Sequence, residues 1–368
     1  MAGSFYGTIF RISTWGESHG KGVGVTIDGC PSGIPLCEAD IQKDLDKRKP
    51  GCSPFSTPRE EDDKVDILSG VFEGKTTGTP ISLIVYNTNQ RSYDYTEISQ
   101  VYRPGHSDYT YDQKYGFRDY RGGGRSSGRE TTARVAAGAV ARLILTSLGI
   151  TVTAYTASIG PVFINKNNFD ASEIWNNFLS MPDKEAVQPA QDYLLRLKEE
   201  GNSSGGSIEC IVTGMPAGIG EPAFEKLDAN LAKAIMSIGA VKGIEIGAGM
   251  EVATRTGVEN NDFYRYDEDG NIIKETNNAG GIVGGISDGS DIFFKAYVKP
   301  TPSIHTTQRT VHKNGENVEI NVEGRHDPII VPRAVIVVEA MTALTLVDML
   351  LLNMSTKIEN VLKVYQQK

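Results

Sequence analysis

The chain has few cysteines, no excess of positive charge and none of the short nucleotide or metal signatures, and each shortage removes a class of function. Four cysteines in 368 residues, at positions 30, 37, 52 and 210, show no Cys-x-x-Cys spacing, so neither a thiolate zinc site nor a disulfide-stapled scaffold is expected. A net charge of −9 has the wrong sign for a nucleic-acid binder, which needs a basic face to neutralise phosphates. The opening MAGSFYGTIFR lacks a basic region followed by an apolar core and cleavage site, and with the cysteine usage it reads as a reducing, cytoplasmic setting. GxxxxGK[ST], a strand-turn-helix GxGxxG and HExxH are all absent, which leaves P-loop, dinucleotide and zinc-hydrolase chemistry without support. The longest apolar run, RAVIVVEAMTALTLVDMLLLN at 333–353, is broken by Glu339 and Asp348. Each would cost about 2.5–3.5 kcal/mol at a bilayer centre, so a buried core helix is expected and no membrane partner. RETTARVAAGAVARLILTSLG at 129–149 reads the same way.

What is present is glycine in informative places. WGESHGKGVGV, 15–25, reads as strand, tight loop and strand, with His19 at the loop tip. A shift of 185 residues aligns SHGKGVGVTIDGCPSGI (18–34) with SSGGSIECIVTGMPAGI (203–219) without a gap, and a helix-like run follows each copy. SGVFEG (69–74) echoes GGISDG (284–289) at a longer shift of 215 residues. This predicts a single domain, 1–368, built from two related halves of about 1–150 and 151–368. Each half would supply a sheet, with the apolar helices packed between the two. Where the first copy has Glu17 and His19, the second has Asn202 and Ser204, so chemistry is expected in one half only.

The segment VYRPGHSDYTYDQKYGFRDYRGGGRSSGRET, 101–131, is the densest arginine region of an acidic chain. Arginine forks bind phosphate and carboxylate bidentately, and Ser126 and Ser127 can donate to the same oxygens. The glycine run leading into a helix adds free backbone N–H groups. An anion site is the natural reading; a solvated surface loop is what composition alone allows. Arg48, in DLDKRKPG, reads by itself as a cation completing a helix C-terminus. GRHDP (324–328) reads as a turn before the last helix, and VKPTPSIHTTQRT (298–310) as an extended loop able to cradle a flat polar ring. His19 and His106 each sit beside a hydroxyl residue in a glycine-containing loop, and imidazole titrates near neutrality. No metal-ligand spacing accompanies them, so no metal is expected. The residues alone point to an enzyme that handles a small polyanion with two histidine proton donors.

GESHG, RPGHSD, RGGGRSSGRET, MPAGIGEPAFEKLDANLAKAIMSIGAVKGIEIG, GGISDG, KPTPSI and GRHDP, in that order, resemble the chorismate synthase family over about residues 5 to 352. The resemblance implies an α+β fold, a duplicated β-α-β sandwich with two antiparallel sheets and apolar helices packed between them. It implies the shikimate-pathway lyase reaction that takes 5-enolpyruvylshikimate 3-phosphate to chorismate by anti-1,4-elimination of phosphate and the C6 proton. Reduced FMN would be required without net redox change, lending an electron to C–O cleavage and recovering it. Carried over by motif, His19 would protonate or hydrogen-bond the departing phosphate, His106 would sit near the flavin, and Asp327 would pass the substrate proton to bulk water. Ser18, Arg48, Arg103, Arg129 and Arg325 would clamp the substrate. FMN would rest on Arg125, Ser126, Ser127, Gly239, Ala240, Gly284, the run Lys299, Pro300, Thr301, Pro302 and Ser303, and Arg325. A homotetramer is implied, with an external flavin reductase as electron source. Two alternatives stay open: a bifunctional form with NAD(P)H-dependent flavin reductase activity, and a noncatalytic flavin- or polyanion-binding protein. Pro54 and Asp288 stand where the family more often has arginine and asparagine or serine. Loops 43–63 and 87–125 are expected to be mobile without ligand.

Overall fold

A computed structural model describes residues 3–49, 51, 61–88, 99–321 and 327–366. Its frame is two five-stranded antiparallel sheets. The first is built from β1 (Phe5–Tyr6), β2 (Arg11–Gly16), β3 (Gly22–Asp28), β4 (Val65–Ser69) and β5 (Ile81–Tyr86), in the order β1-β2-β3-β5-β4. The second is built from β6 (Thr151–Ile159), β7 (Val162–Phe163), β8 (Gly206–Thr213), β9 (Val241–Ile246) and β10 (Ile292–Val298), in the order β7-β6-β8-β10-β9. Alternation sets which face is covered. Ile81, Leu83 and Val85 are buried in β5, and Ile292, Phe294, Ala296 and Val298 in β10, each at period two.

Helices α1 (Glu38–Arg48), α2 (Asp108–Tyr115), α3 (Thr131–Ser147), α4 (Lys184–Glu199), α5 (Leu227–Met236), the single turn α6 (Gly257–Asn260), α7 (Val331–Asn353) and α8 (Ile358–Tyr365) complete the chain. Helix α3 packs on β3 and β5, α7 packs on β6 and β8, and the two helices pack against each other. Gly138 permits that contact, because a Cβ built there would lie 2.4 Å from Cβ of Ala340. The molecule is therefore α+β, with apolar helices covering the inner faces of both sheets.

Among the described residues α7 is the one helix long and apolar enough to cross a membrane, and 83% of its apolar window is buried inside the protein. The two acids that interrupt it are both in use. Asp348 accepts the backbone N–H groups of Thr8 at 2.8 Å, Ile9 at 2.7 Å and Phe10 at 3.0 Å. Glu339 accepts that of Ala154 at 2.9 Å, and burial pushes its carboxyl up to about 7 against the pull of that bond and of Lys47 and Arg142.

With the two-residue edge strands set aside, the sheets read β2-β3-β5-β4 and β6-β8-β10-β9. Each takes its strands in the chain order first, second, fourth, third. A helix follows the second strand of each set, α1 or α5, and another follows the fourth, α3 or α7. The β2–β3 loop falls at Glu17–Lys21, where the sequence places His19 at a tip.

Candidate active site

One cavity of about 1450 Å³ collects side chains from most of these elements. Its wall runs from Ile12 and Thr14 of β2 past the β2–β3 loop, the end of α1, residues 103–107, the turns entering α3, the end of α5, the loop after β10 and the first turns of α7. Among the described residues nine cationic side chains line it: Arg48, Arg103, Lys114, Arg125, Arg129, Arg134, Lys233, Lys299 and Arg333. Two carboxylates among those residues do, Glu130 and Asp327. An acidic chain thus concentrates positive charge at one place, which is what recognition of a polyanion needs.

Arg48 ends α1 and Arg129 precedes α3, and a single buried carboxylate joins them. Nη1 of Arg48 donates to Oδ2 of Asp63 at 3.0 Å, while Nη1 of Arg129 pairs with its Oδ1. Arg48 also donates to Thr131 Oγ1 at 3.1 Å and to the carbonyl of Gly128 at 2.8 Å. Burial pushes the Arg48 guanidinium down to about 9, opposed by Asp63, so it remains a cation at neutral pH. Arg129 donates through Nε to Asn87 Oδ1 at 2.9 Å, and its buried Nη2 has no hydrogen-bond partner among the described residues. A buried donor left over at a cavity wall is suited to an anionic ligand. On its own Arg48 reads as a helix-terminal cation; the structure turns it inward.

The two histidines meet across the glycine turn. Gly122 has φ +60°, and a Cβ there would lie 2.6 Å from Cδ2 of His19; at Gly123 it would lie 3.1 Å from Cε1 of His106. Only glycine lets this backbone run so close to both rings. His19 is 7% exposed. Ser18 stands behind the wall, its hydroxyl donating to the carbonyl of Gly122 at 3.3 Å. Arg103 is bidentate to Asp108, at 2.7 and 2.9 Å, and its Nη2 lies 3.1 Å from Nδ1 of His106. Burial alone would raise the Asp108 carboxyl, but the hydrogen bonds and charge of Arg103 outweigh it and hold it far below the usual carboxylate range.

Arg125 is anchored to β2 through Thr14 Oγ1 at 2.8 Å and the carbonyl of Gly16 at 3.3 Å. Ser126 donates to the carbonyl of Gly123 at 2.7 Å, and Ser127 accepts the N–H of Arg129 at 3.3 Å. Gly239 faces open space, and Ala240 holds the left-handed φ of +72°. The N–H of Lys299 donates to the carbonyl of Ala240 at 2.9 Å, and its Nζ to that of Gly105 at 2.7 Å. Burial lowers the Lys299 ammonium, with Lys242 adding to the effect. Thr301, Pro302 and Ser303 complete this side, while Pro300 turns toward Gly205. Asp327 pairs with Nη1 of Arg333 at 2.6 Å, and Nε of Arg333 donates to the carbonyl of Arg48 at 3.2 Å.

The structure therefore gathers His19, His106, Asp327, Arg48, Arg103, Arg129, Arg125, Ser126, Ser127, Gly239, Ala240 and Lys299 with Thr301–Ser303 around one cavity. It does not bring Gly284 there: that residue lies in the turn between Ile282–Val283 and Ile286–Ser287, next to a glycine packed on Lys226. Arg325, His326 and Pro54 lie outside the described residues, as do 50, 52–60 and 89–98 of the two loops expected to be mobile; α2 occupies 108–115 of the second. Sequence reasoning missed Asp63, Asp108, Arg134, Lys233 and Arg333. No metal-ligating cluster occurs among the described residues.

Two antiparallel sheets with apolar helices packed on them, and cations and two imidazoles converging on one cavity, are the setting of an enzyme that acts on a small molecule. The family profile described as chorismate synthase matches residues 10–351. Chorismate synthases of Agathobacter rectalis and Lachnospira eligens are 62% and 63% identical over 367 residues, each covering 100% of both chains. That of Methanosarcina barkeri is 54% identical over 356 residues, 95% of this chain and 97% of its own. A solved structure titled as the crystal structure of chorismate synthase superposes with a TM-score of 0.75 at 31% identity, covering 98% of this chain and 97% of that one. The chain belongs to the chorismate synthase family, and it is an enzyme of the lyase class.

Proposed function

We propose that the cavity binds 5-enolpyruvylshikimate 3-phosphate beside reduced FMN and eliminates phosphate and the C6 proton to yield chorismate, with no net redox change. The observation that carries this reading is the convergence of nine cations and two imidazoles on one cavity of about 1450 Å³. That exceeds the roughly 300–1,000 Å³ usual for a single small ligand, so a substrate and a flat cofactor fit together. Ile12, Ile238, Ile330, Val337 and Met341 offer an apolar wall for a ring, Gly239 leaves space beside it, and the unpartnered Nη2 of Arg129 awaits an anion. Reduced flavin, when bound, would supply an electron transiently to assist C–O cleavage.

Arg48 and Arg129, braced by Asp63, would clamp the phosphate or a carboxylate, with Arg103 and Arg325 as further members; Ser18, behind the wall, would hold the Gly122 carbonyl instead. His19 would donate to the departing phosphate, where neutralising developing charge lowers the barrier. Asp327, oriented by Arg333, would receive the C6 proton and release it to solvent. Arg125, Ser126, Ser127, Gly239, Ala240, Lys299 and Thr301–Ser303 would hold the flavin, close to His106. Gly284 has no part in this reading within one chain.

We infer further that the two halves arose by duplication within one structural unit; the matched strand order and the 185-residue repeat support it. A homotetramer in the cytoplasm, served by an external flavin reductase, completes the reading. Large exposed apolar side chains, among them Phe224, Met250, Val258 and Tyr266, favour a covered surface. The test is an anaerobic assay with the substrate and dithionite-reduced FMN, following chorismate absorbance and phosphate together. Equal yields, lost without reduced flavin and cut about 100-fold or more by His106→Ala, are expected. Binding without either product would move the noncatalytic alternative forward, and turnover with oxidised FMN and NADPH alone would establish the bifunctional form.

A further inference from the structure

Nδ1 of His106 has two polar neighbours that ask opposite things of it. Nη2 of Arg103 lies 3.1 Å away in hydrogen-bonding geometry, and a guanidinium can only donate. Oδ1 of Asp108 lies 2.9 Å away, and a carboxylate can only accept. A lone pair on Nδ1 satisfies the arginine; a proton there satisfies the aspartate.

The aspartate is already well supplied. Its Oδ2 accepts Nε of Arg103 at 2.7 Å and the backbone N–H of Arg103 at 3.2 Å. Its Oδ1 accepts Nη2 of Arg103 at 2.9 Å, and Nε of Arg118 lies 3.3 Å from the same atom. Those three hydrogen bonds from Arg103, with the Arg118 charge beside Oδ1, supply the carboxylate without the ring. Nη2 of Arg103 carries two hydrogens, one for Oδ1 and one for the ring. On the far side of the ring, a Cβ on Gly123 would lie 3.2 Å from Nε2 and 3.1 Å from the hydroxyl oxygen of Ser126, so Nε2 looks toward the loop that lines the cavity. The other cation close by, Lys299, is turned to the carbonyl of Gly105.

We propose that Arg103 is a positioning residue that fixes His106 as the neutral tautomer with its hydrogen on Nε2, so that the ring presents a donor to the cavity. This leaves Nη1 of Arg103 for the substrate clamp, since its other two nitrogens are committed to Asp108 and His106. An Nε2 donor suits an electron-rich flavin ring or an anion and excludes His106 as the resting general base. That consequence rests on the flavin reading above; the tautomer does not.

The test uses full-length, ligand-free protein labelled with ¹⁵N-histidine and long-range ¹H–¹⁵N correlation at about pH 8, above the ordinary imidazole pKa of about 6.5. The chain has five histidines, few enough for the His106→Asn spectrum to assign the signal by its loss. The expected pattern has a protonated Nε2 and an unprotonated Nδ1. In Arg103→Met, Asp108 loses its main donors and claims the ring proton, so the pattern inverts. A wild-type ring protonated at Nδ1, or at both nitrogens, overturns the proposal, as does an unchanged pattern in Arg103→Met. If that variant fails to fold, the wild-type spectrum decides alone. No turnover enters the measurement, so failure of the elimination reading would show in the product assay and leave the tautomer result intact.

Discussion

Asp63 holds two guanidinium groups together from a backbone position with φ +48°, a region that aspartate and asparagine tolerate better than other side chains. Asp63→Asn keeps the conformation and removes the charge, leaving Arg48 and Arg129 buried side by side. Breaking a buried pair in this way costs about 3–5 kcal/mol, to be read from urea unfolding. The Michaelis constant for substrate should rise on the order of tenfold, with a smaller change in kcat; an unchanged constant would detach the arginine pair from substrate binding. The arginines were legible because guanidinium groups are scarce near glycine in an acidic chain. Asp63 was not, because it sits in the run EEDDK, which composition reads as solvated. The signal that could have found it is register: Glu61, Asp63 and Val65 are buried while Asp62 and Lys64 are exposed, so the alternation of β4 begins upstream of the strand. Arg333 was hidden by its place at the start of an apolar helix.

Helix α7 carries a buried acid whose cost depends on pH. The folded Glu339 carboxyl keeps its proton up to about 7, whereas an unfolded glutamate releases it near about 4.3. Between those values the unfolded chain binds fewer protons, so this group makes stability fall as pH rises, and its effect levels off above about 7. Glu339→Gln can still accept the N–H of Ala154 and should remove this dependence. The stability difference between variant and wild type should grow in the variant's favour by on the order of 3 kcal/mol from about pH 4 to about pH 7, measured by denaturant titration across that range. A constant difference would mean that Arg142, 3.5 Å away, keeps the carboxylate charged. The main helices were legible as elements: the apolar run at 333–353, with two acids, and the small-residue run at 129–149 correspond to α7 and α3. Less legible was the arm between β9 and β10, where periodicity is weak and ion pairs replace apolar contacts. There the ammonium of Lys274, 4% exposed, lies 2.7 Å from Asp288 and 3.5 Å from Asp262, which accounts for an aspartate at position 288.

At the scale of the molecule, the 185-residue repeat is a reason to expect two related halves, but the strand order did not follow from sequence. Pairings such as β8 with β10 join segments far apart in the chain and leave no local signature. The cavity was equally hidden, since its wall draws on residues from Gly3 to Met341. Its charge has a kinetic consequence: a polyanion should be drawn toward the mouth, so kcat/KM should fall as ionic strength rises and the Debye length shortens to about 10 Å at 0.1 M. A kcat/KM insensitive to salt, taken as initial rates in a salt series, would place the cations in structural pairing alone. The central claim, that this site performs an elimination with no net consumption of electrons, is tested most directly by product stoichiometry. Protein, excess substrate and a single charge of photoreduced FMN are sealed without oxygen or any further reductant, and chorismate, phosphate and flavin absorbance are followed together. The account predicts equal amounts of chorismate and phosphate, many turnovers per flavin, and a flavin still reduced at the end. One product per flavin with oxidised cofactor, or phosphate without chorismate, would contradict it.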